Sequence, residues 1–160
     1  MVDRVTRLTI RLAMLKFKIK GRTAKVYRAN RPGALHGEIL GALATDLLLR
    51  VPLNRLADAR KKTFVYEFGW RSPMERLGAC HALEIGFVFD TLRTPGQLVL
   101  AGPDAPQELA DAMHHAWIAF ATSGDPGWPS WDETRPAMLF DHPCPTVVRA
   151  IRDDELNLWR

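Results

Sequence analysis

The sequence predicts an α/β fold. Two observations carry this reading: helical apolar spacing and strand alternation interleave along one chain, and turn-forming residues punctuate the changes between them. A third bounds it. With 160 residues, 47% of them apolar, the chain fits a single domain by size and can bury a sizeable core.

Taken in order, Val5, Leu8, Leu12 and Leu15 recur at helical spacing, with Arg4, Arg7 and Arg11 on a neighbouring face. This predicts a basic amphipathic helix. Such a face suits a membrane surface or nucleic acid, but it is more often merely solvated. The preferred reading is a helix of a larger parent fold, cut free at its start, with a basic face that is merely solvated. Lys16 to Lys20 alternates, so a short strand is also open there. Asn30-Arg31-Pro32-Gly33 is a turn. A helix follows over 37–49, with Ile39, Leu40, Leu43, Leu47 and Leu48 on its apolar face. Pro52 opens a second helix through Ala59, since proline suits the first helical turn.

Thr63 to Phe68 alternates and predicts a strand, with Phe64, Tyr66 and Phe68 on one face. Arg71-Ser72-Pro73 ends it, and a loop runs to Gly78. Leu83 to Phe89 predicts a short helix and then a loop. Pro106 opens a longer helix through Thr122, with Leu109, Met113, Ala116, Trp117 and Phe120 facing inward and Asp104 as the N-cap. Gly124 to Pro129 is a loop. Ala137 to Phe140 and Pro145 to Ile151 read as strands, arranged as a hairpin. Asp153 to Trp159 reads as a short terminal helix or tail. There is no repeat and no low-complexity segment.

Charge is segregated. Residues 1–31 carry ten Lys or Arg against the single acid Asp3, a net of +9. The remainder carries twelve bases against seventeen acids, a net of −5. The basic pI therefore belongs to the start of the chain, and is poor support for nucleic-acid binding by the whole. Two cysteines, Cys80 and Cys144, make no disulfide framework and no metal spacing. No apolar run reaches membrane-spanning length, and no secretory leader is legible. A cytoplasmic location is the expectation.

Gly78-Ala79-Cys80-His81-Ala82-Leu83-Glu84-Ile85, with Phe87-Val88-Phe89, sets one histidine directly after a small-residue turn. This block resembles the histidine block of type-B carboxylesterases, the family of para-nitrobenzyl esterases and cholinesterases. Thr45 to Pro52, then Arg55-Leu56-Ala57, is similar to that family's helix pair before the histidine strand. Tyr66-Glu67-Phe68 with Trp70 resembles the strand leading to the histidine loop. Leu109 to Phe120, Gly124 to Pro129 and Met138-Leu139-Phe140 resemble its closing helix and final strands. The resemblance covers about residues 23 to 160. It implies the C-terminal part of an α/β-hydrolase fold, an incomplete sheet flanked by helices, preceded by a basic amphipathic extension over 1–22.

The same resemblance implies carboxylic-ester hydrolysis by acyl transfer to serine. His81 would be the triad histidine, general base and then general acid. The alternative for His81 is a histidine satisfied by hydrogen bonds within the core. Gly78, Ala79 and Cys80 would shape the loop beside the acyl pocket, and Glu84 would lie behind the histidine without being the triad acid, the preferred reading for it being a structural glutamate bonded to backbone or a neighbouring serine. The remaining machinery is not legible. Ser72, Ser123 and Ser130 lie outside any Gly-x-Ser-x-Gly turn, and no oxyanion-hole glycine cluster is present.

Cys80 is expected to be a buried structural thiol. Neighbours in an extended segment point to opposite sides, so it would not readily meet His81. His114 and His115 are adjacent on a helix, about 100° apart, and are not expected to share a metal. No cofactor is expected. The chain is therefore expected to be a fragment, inactive alone: a truncated product, or half of a split esterase. Expected partners are a small-molecule ester in the complete enzyme, and an N-terminal esterase fragment or a second copy of the chain. Nucleic acid and anionic membrane are not expected. The alternative class is a non-catalytic interaction module.

Overall fold

A computed structural model describes residues 5–75 and 77–159. The chain divides into two compact units, one of Met1–Arg60 with Arg152–Arg160, the other of Lys61–Ile151.

The first unit is helical. Helix α1 (Arg7–Lys16) starts where the Thr6 hydroxyl accepts the Thr9 amide at 3.2 Å. The helix was anticipated, but its buried face was not. Ile10 is fully buried and Met14 packs beside it, whereas Leu8, Leu12 and Leu15 are exposed. The helix carries two apolar stripes, and the one holding Ile10 meets Tyr27, Ile39 and Leu43. Arg4 lies outside the described residues. No strand forms at Lys16 to Lys20: Lys18 takes a left-handed φ of 53°, and the Ile19 amide returns to the Met14 carbonyl at 2.8 Å.

Helix α2 (Gly21–Ala29) has no counterpart in the periodicity reading. The turn at 30–33 follows, with Gly33 at φ +80°. Helix α3 (His36–Thr45) then runs through a π-helical turn (Asp46–Arg50) into α4 (Val51–Asp58). The two helices expected here are thus one continuous helical run. Pro52 is tolerated because the turn before it is wider, with the Val51 amide bonding back to the Asp46 carbonyl. The wider turn also rotates the faces. Asp46 goes fully inward, and Leu48, expected on the apolar face, is 62% exposed.

A buried polar network satisfies Asp46. The Tyr27 hydroxyl donates to one carboxylate oxygen and Arg50 to the other at 2.8 Å. Trp159 Nε1–H donates to the Tyr27 oxygen at 2.8 Å. Helix α8 (Asp153–Leu156) and a 3-10 turn (Asn157–Trp159) hold the chain's last described residues in this unit. Glu155 is almost wholly buried and takes both Arg31 nitrogens and the Asn30 amide.

The second unit holds a three-stranded sheet in the order β1 (Tyr66–Phe68), β2 (Pro136–Phe140), β3 (Thr146–Arg149). Strand β1 is parallel to β2, with Tyr66 opposite Met138 and Phe68 opposite Phe140. Strands β2 and β3 form the expected antiparallel hairpin, with Met138 opposite Val147. Only the end of the expected Thr63–Phe68 strand joins the ladder. Its earlier residues still bond outward, the Thr63 carbonyl accepting from the Trp131 amide at 2.7 Å and the Val65 carbonyl from the Met138 amide at 3.0 Å.

Three helices pack with this sheet: α5 (Ile85–Val88), α6 (Pro95–Ala101) and α7 (Gln107–Ser123). Helix α6 was not anticipated, although Pro95 in its first turn is a start feature. Helix α7 is capped at Pro106 rather than at Asp104, and no side chain serves the cap. It ends on Gly124, whose φ of +73° gives the left-handed stop that glycine takes without strain. Leu83, Phe87, Val88, Leu109, Met113, Trp128 and Phe140 form the core. Trp117 and Phe120, expected inside, are 46% and 48% exposed. They meet the sheet edge-on instead, Trp117 against Tyr66 at 6.3 Å and Phe120 against Phe64 at 5.9 Å between ring centroids. Among the described residues no helix is long and apolar enough to cross a membrane.

The two tyrosines test this packing. Replacing Tyr27 by Phe strips a buried carboxylate of one donor, and we expect a loss of about 1–3 kcal/mol in urea unfolding. An unchanged midpoint would mean that Asp46 does not depend on it. Burial raises the Tyr27 hydroxyl above its ordinary range, and the neighbouring Asp46 adds to this. Burial raises Tyr66 too, with the charge of Glu84 contributing. A phenol whose folded pKa is raised stabilises the fold below the unfolded value and loses that contribution as pH rises past it. Stability should therefore fall above about pH 10. Tyr27→Phe should flatten that fall, and an identical pH profile for the variant would refute the assignment.

Candidate active site

The histidine block lies between β1 and α5. After β1 the Ser72 amide bonds to the Gly78 carbonyl at 3.1 Å, closing a loop over 72–78. The Ser72 hydroxyl donates to the Leu100 carbonyl and accepts from the Met74 amide at 3.1 Å, which fastens the loop to α6. Gly78 turns the chain at φ +56°. A side chain there would be strained, and its Cβ would press on the Arg71 guanidinium at 3.2 Å.

The next four residues separate inside from outside. Cys80 is half-buried and packs on the core, while Ala79 and His81 are exposed. Ala82 takes φ +67°, and Leu83 returns to the core fully buried. The turn is closed by the Leu83 amide on the Cys80 carbonyl and the Ile85 amide on the Ala82 carbonyl, both at 3.3 Å. Among the described residues the His81 ring makes no hydrogen bond, ion pair or ring contact. Its nitrogens are open to whatever approaches from solvent.

Glu84 caps α5 with its backbone, its carbonyl accepting from the Phe87 and Val88 amides at 3.0 and 2.9 Å. Its half-buried carboxylate acts on the Tyr66 hydroxyl, where its charge adds to the effect of burial in disfavouring ionisation. The coupling of Tyr66 with Glu84 had no sequence signature, because the two lie on different elements. Gly86, in α5, is buried where a Cβ would come 2.6 Å from Gln97 Oε1, so a larger residue there would require the Gln97 side chain to shift.

The three serines stay apart from His81 in role. The Ser72 hydroxyl serves the loop, and the Ser123 hydroxyl donates to the Ala119 carbonyl at 2.8 Å. Ser130 is exposed in the loop before β2. His114 Nδ1 sits 2.9 Å from the Val88 carbonyl and His115 Nδ1 2.6 Å from the Asp111 carbonyl. A carbonyl can only accept, so both Nδ1 atoms carry the proton. Two apolar clefts of about 190 and 300 Å³ flank Trp128, and His81 lines neither.

This arrangement has known counterparts. The pattern that defines the carboxylesterase family matches residues 11–159. Phenmedipham hydrolase of Pseudarthrobacter oxydans is 31% identical over 131 residues, 72% of this chain and 27% of the relative. Para-nitrobenzyl esterase of Bacillus subtilis (strain 168) is 32% identical over 123 residues, 69% of this chain and 24% of the relative. The chain thus spans about a quarter of the length of the curated relatives it matches. Among solved structures, a Geobacillus stearothermophilus carboxylesterase superposes with a TM-score of 0.78 at 26% identity, covering 95% of this chain and 34% of that one. A para-nitrobenzyl esterase follows at 0.69 and 26%, covering 91% and 32%. The small sheet and its helices are accordingly part of an α/β-hydrolase fold, and the chain belongs to the carboxylesterase family.

Proposed function

We propose that this chain supplies the histidine-bearing part of a serine carboxylic-ester hydrolase. One observation carries the reading: His81 stands out to solvent on a tight turn whose flanking residues, Cys80 and Leu83, are held by the core. A histidine exposed in this way can receive a proton from a nucleophile and pass it to a leaving group.

In the proposed reaction a serine hydroxyl from outside this chain attacks the ester carbonyl while neutral His81 takes its proton. The imidazolium then protonates the departing alcohol. A water molecule repeats the sequence on the acyl-serine, returning the serine and releasing the acid. A carboxylate, also from outside the chain, would orient the ring. Gly78, Ala79 and Cys80 would shape the loop beside the acyl group. Glu84 would support the turn, its charge being felt at the Tyr66 hydroxyl. The residues of this chain include no Gly-x-Ser-x-Gly turn, so efficient hydrolysis by the chain alone is not proposed. Among the described residues strand β1 pairs in the sheet with β2 alone, leaving an edge at which a complementing strand could add. Free Cys80 and Cys144 suit a reduced, cytoplasmic setting.

The test is hydrolysis of a short-chain nitrophenyl ester. The purified chain and His81→Ala should both match the protein-free blank. Mixed with a separately produced N-terminal esterase segment carrying the elbow serine and triad acid, the wild type should gain turnover. His81→Ala in the same mixture should lose about 10³-fold or more of that gain. Turnover that survives the substitution would remove His81 from the mechanism. Turnover by the wild-type chain alone, lost in His81→Ala, would overturn the need for a partner.

A further inference from the structure

We propose that Arg7, Arg11, Arg28 and His36 form a binding site for a phosphate group in the first unit. Arg7 and Arg11 are four residues apart on α1 and so share a face. Arg28 stands in the last turn of α2, and His36 is the first residue of α3. With Ala34 and Ile39 these side chains line a cleft of about 390 Å³, within the size range of small-ligand sites, about 300–1,000 Å³. Ile10, Tyr27 and Ile39 pack beneath it, so the basic groups project from helices that are fixed against one another.

The electrostatics point the same way. Like charges four apart on a helix repel, and Arg7 stands at the positive end of α1 with no acid in that turn. Other arginines of this unit are neutralised: Arg31 by Glu155 and Arg50 by Asp46. The guanidiniums of Arg7, Arg11 and Arg28 have no hydrogen bond or ion pair among the described residues. Arg31 and Arg50 hold the fold, whereas Arg7, Arg11 and Arg28 line a single hollow. A guanidinium offers a fork of donors that matches phosphate oxygens, and three lining one cleft favour a dianion. Ala34 and Ile39 add an apolar wall, which suits a phosphate carried on an organic group. The groups surround one concavity and do not run as a stripe, which suits one phosphate better than a nucleic-acid backbone.

The experiment is calorimetric titration of the whole chain with phenyl phosphate at low salt. Wild type should bind saturably at one site. Arg11→Gln and Arg28→Gln, both at exposed positions, should each weaken binding by about ten-fold or more. Arg22→Gln, on α2 but outside the cleft, should change it by less than about two-fold. Absence of saturable binding, or equal weakening by Arg22→Gln, would overturn the proposal, since diffuse attraction to a basic surface would then suffice. Neutral vesicles doped with phosphatidate separate the sources. Capture that phenyl phosphate competes away assigns a lipid headgroup, and binding of phenyl phosphate without vesicle capture assigns a soluble phosphate ester.

Discussion

The parallel pairing of β1 with β2 is the constraint from which the second unit follows. Antiparallel neighbours can be joined by a tight turn, but parallel ones need a crossover that returns the chain to the same end. Residues 69–135 make that return, and they contain the histidine loop, α5, α6 and α7. The crossover must cover the sheet, which it does by burying Phe87, Leu109 and Met113 with Phe140. The loop leaving β1 is thereby fixed at its start by the strand and at its end by α5. The backbone of a residue placed between those two anchors is thereby held in place at both ends.

In the first unit the comparable constraint is a buried charge. Asp46 has no water to solvate it, so it must be paired and hydrogen-bonded. Its partners come from three places: Tyr27 on α2, Arg50 one turn on, and Trp159 through the Tyr27 hydroxyl. The π-helical turn is what carries Asp46 inward, and the same turn admits Pro52 without ending the helix. One local distortion therefore serves both the proline and the network that holds the chain's two ends in one unit.

How much of this was legible depended on whether the cause was local. Glycine marked the turn at Gly33 and the helix stop at Gly124, because its backbone preference acts at single positions, whereas Pro52 suggested a separate helix start that the continuous run does not have. The hairpin of β2 and β3 was legible from alternation. What escaped reading was tertiary. Leu8, Leu12 and Leu15 have perfect helical spacing, yet the core took Ile10 because Tyr27 and Leu43 happened to face it. Trp117 and Phe120 lie on the apolar stripe of α7, but a three-stranded sheet is too narrow to cover them all. Nothing in the sequence near Asp46 announces a partner nineteen residues upstream. At the candidate site the histidine block was legible as a motif, and the structure places His81 exposed on the turn after Gly78. The Glu84–Tyr66 pair and the Ser72 loop lock were not, because their partners lie on other elements.

The backbone around His81 shows where the fold accepts local cost. Gly78 at φ +56° is free of penalty, but Ala82 at φ +67° is not. A non-glycine residue held there costs of order 1–3 kcal/mol and persists only when its surroundings over-determine it. Here they do. Cys80 and Leu83 are held by core packing on either side, the Ser72–Gly78 bridge closes the loop upstream, and the Glu84 carbonyl starts α5 downstream. A relaxed extended path through Ala82 would carry Leu83 away from the core. The strain is therefore the consequence of anchoring both flanks while leaving one side chain outside. It falls beside His81, whose exposed ring is the side chain that this anchoring leaves outside.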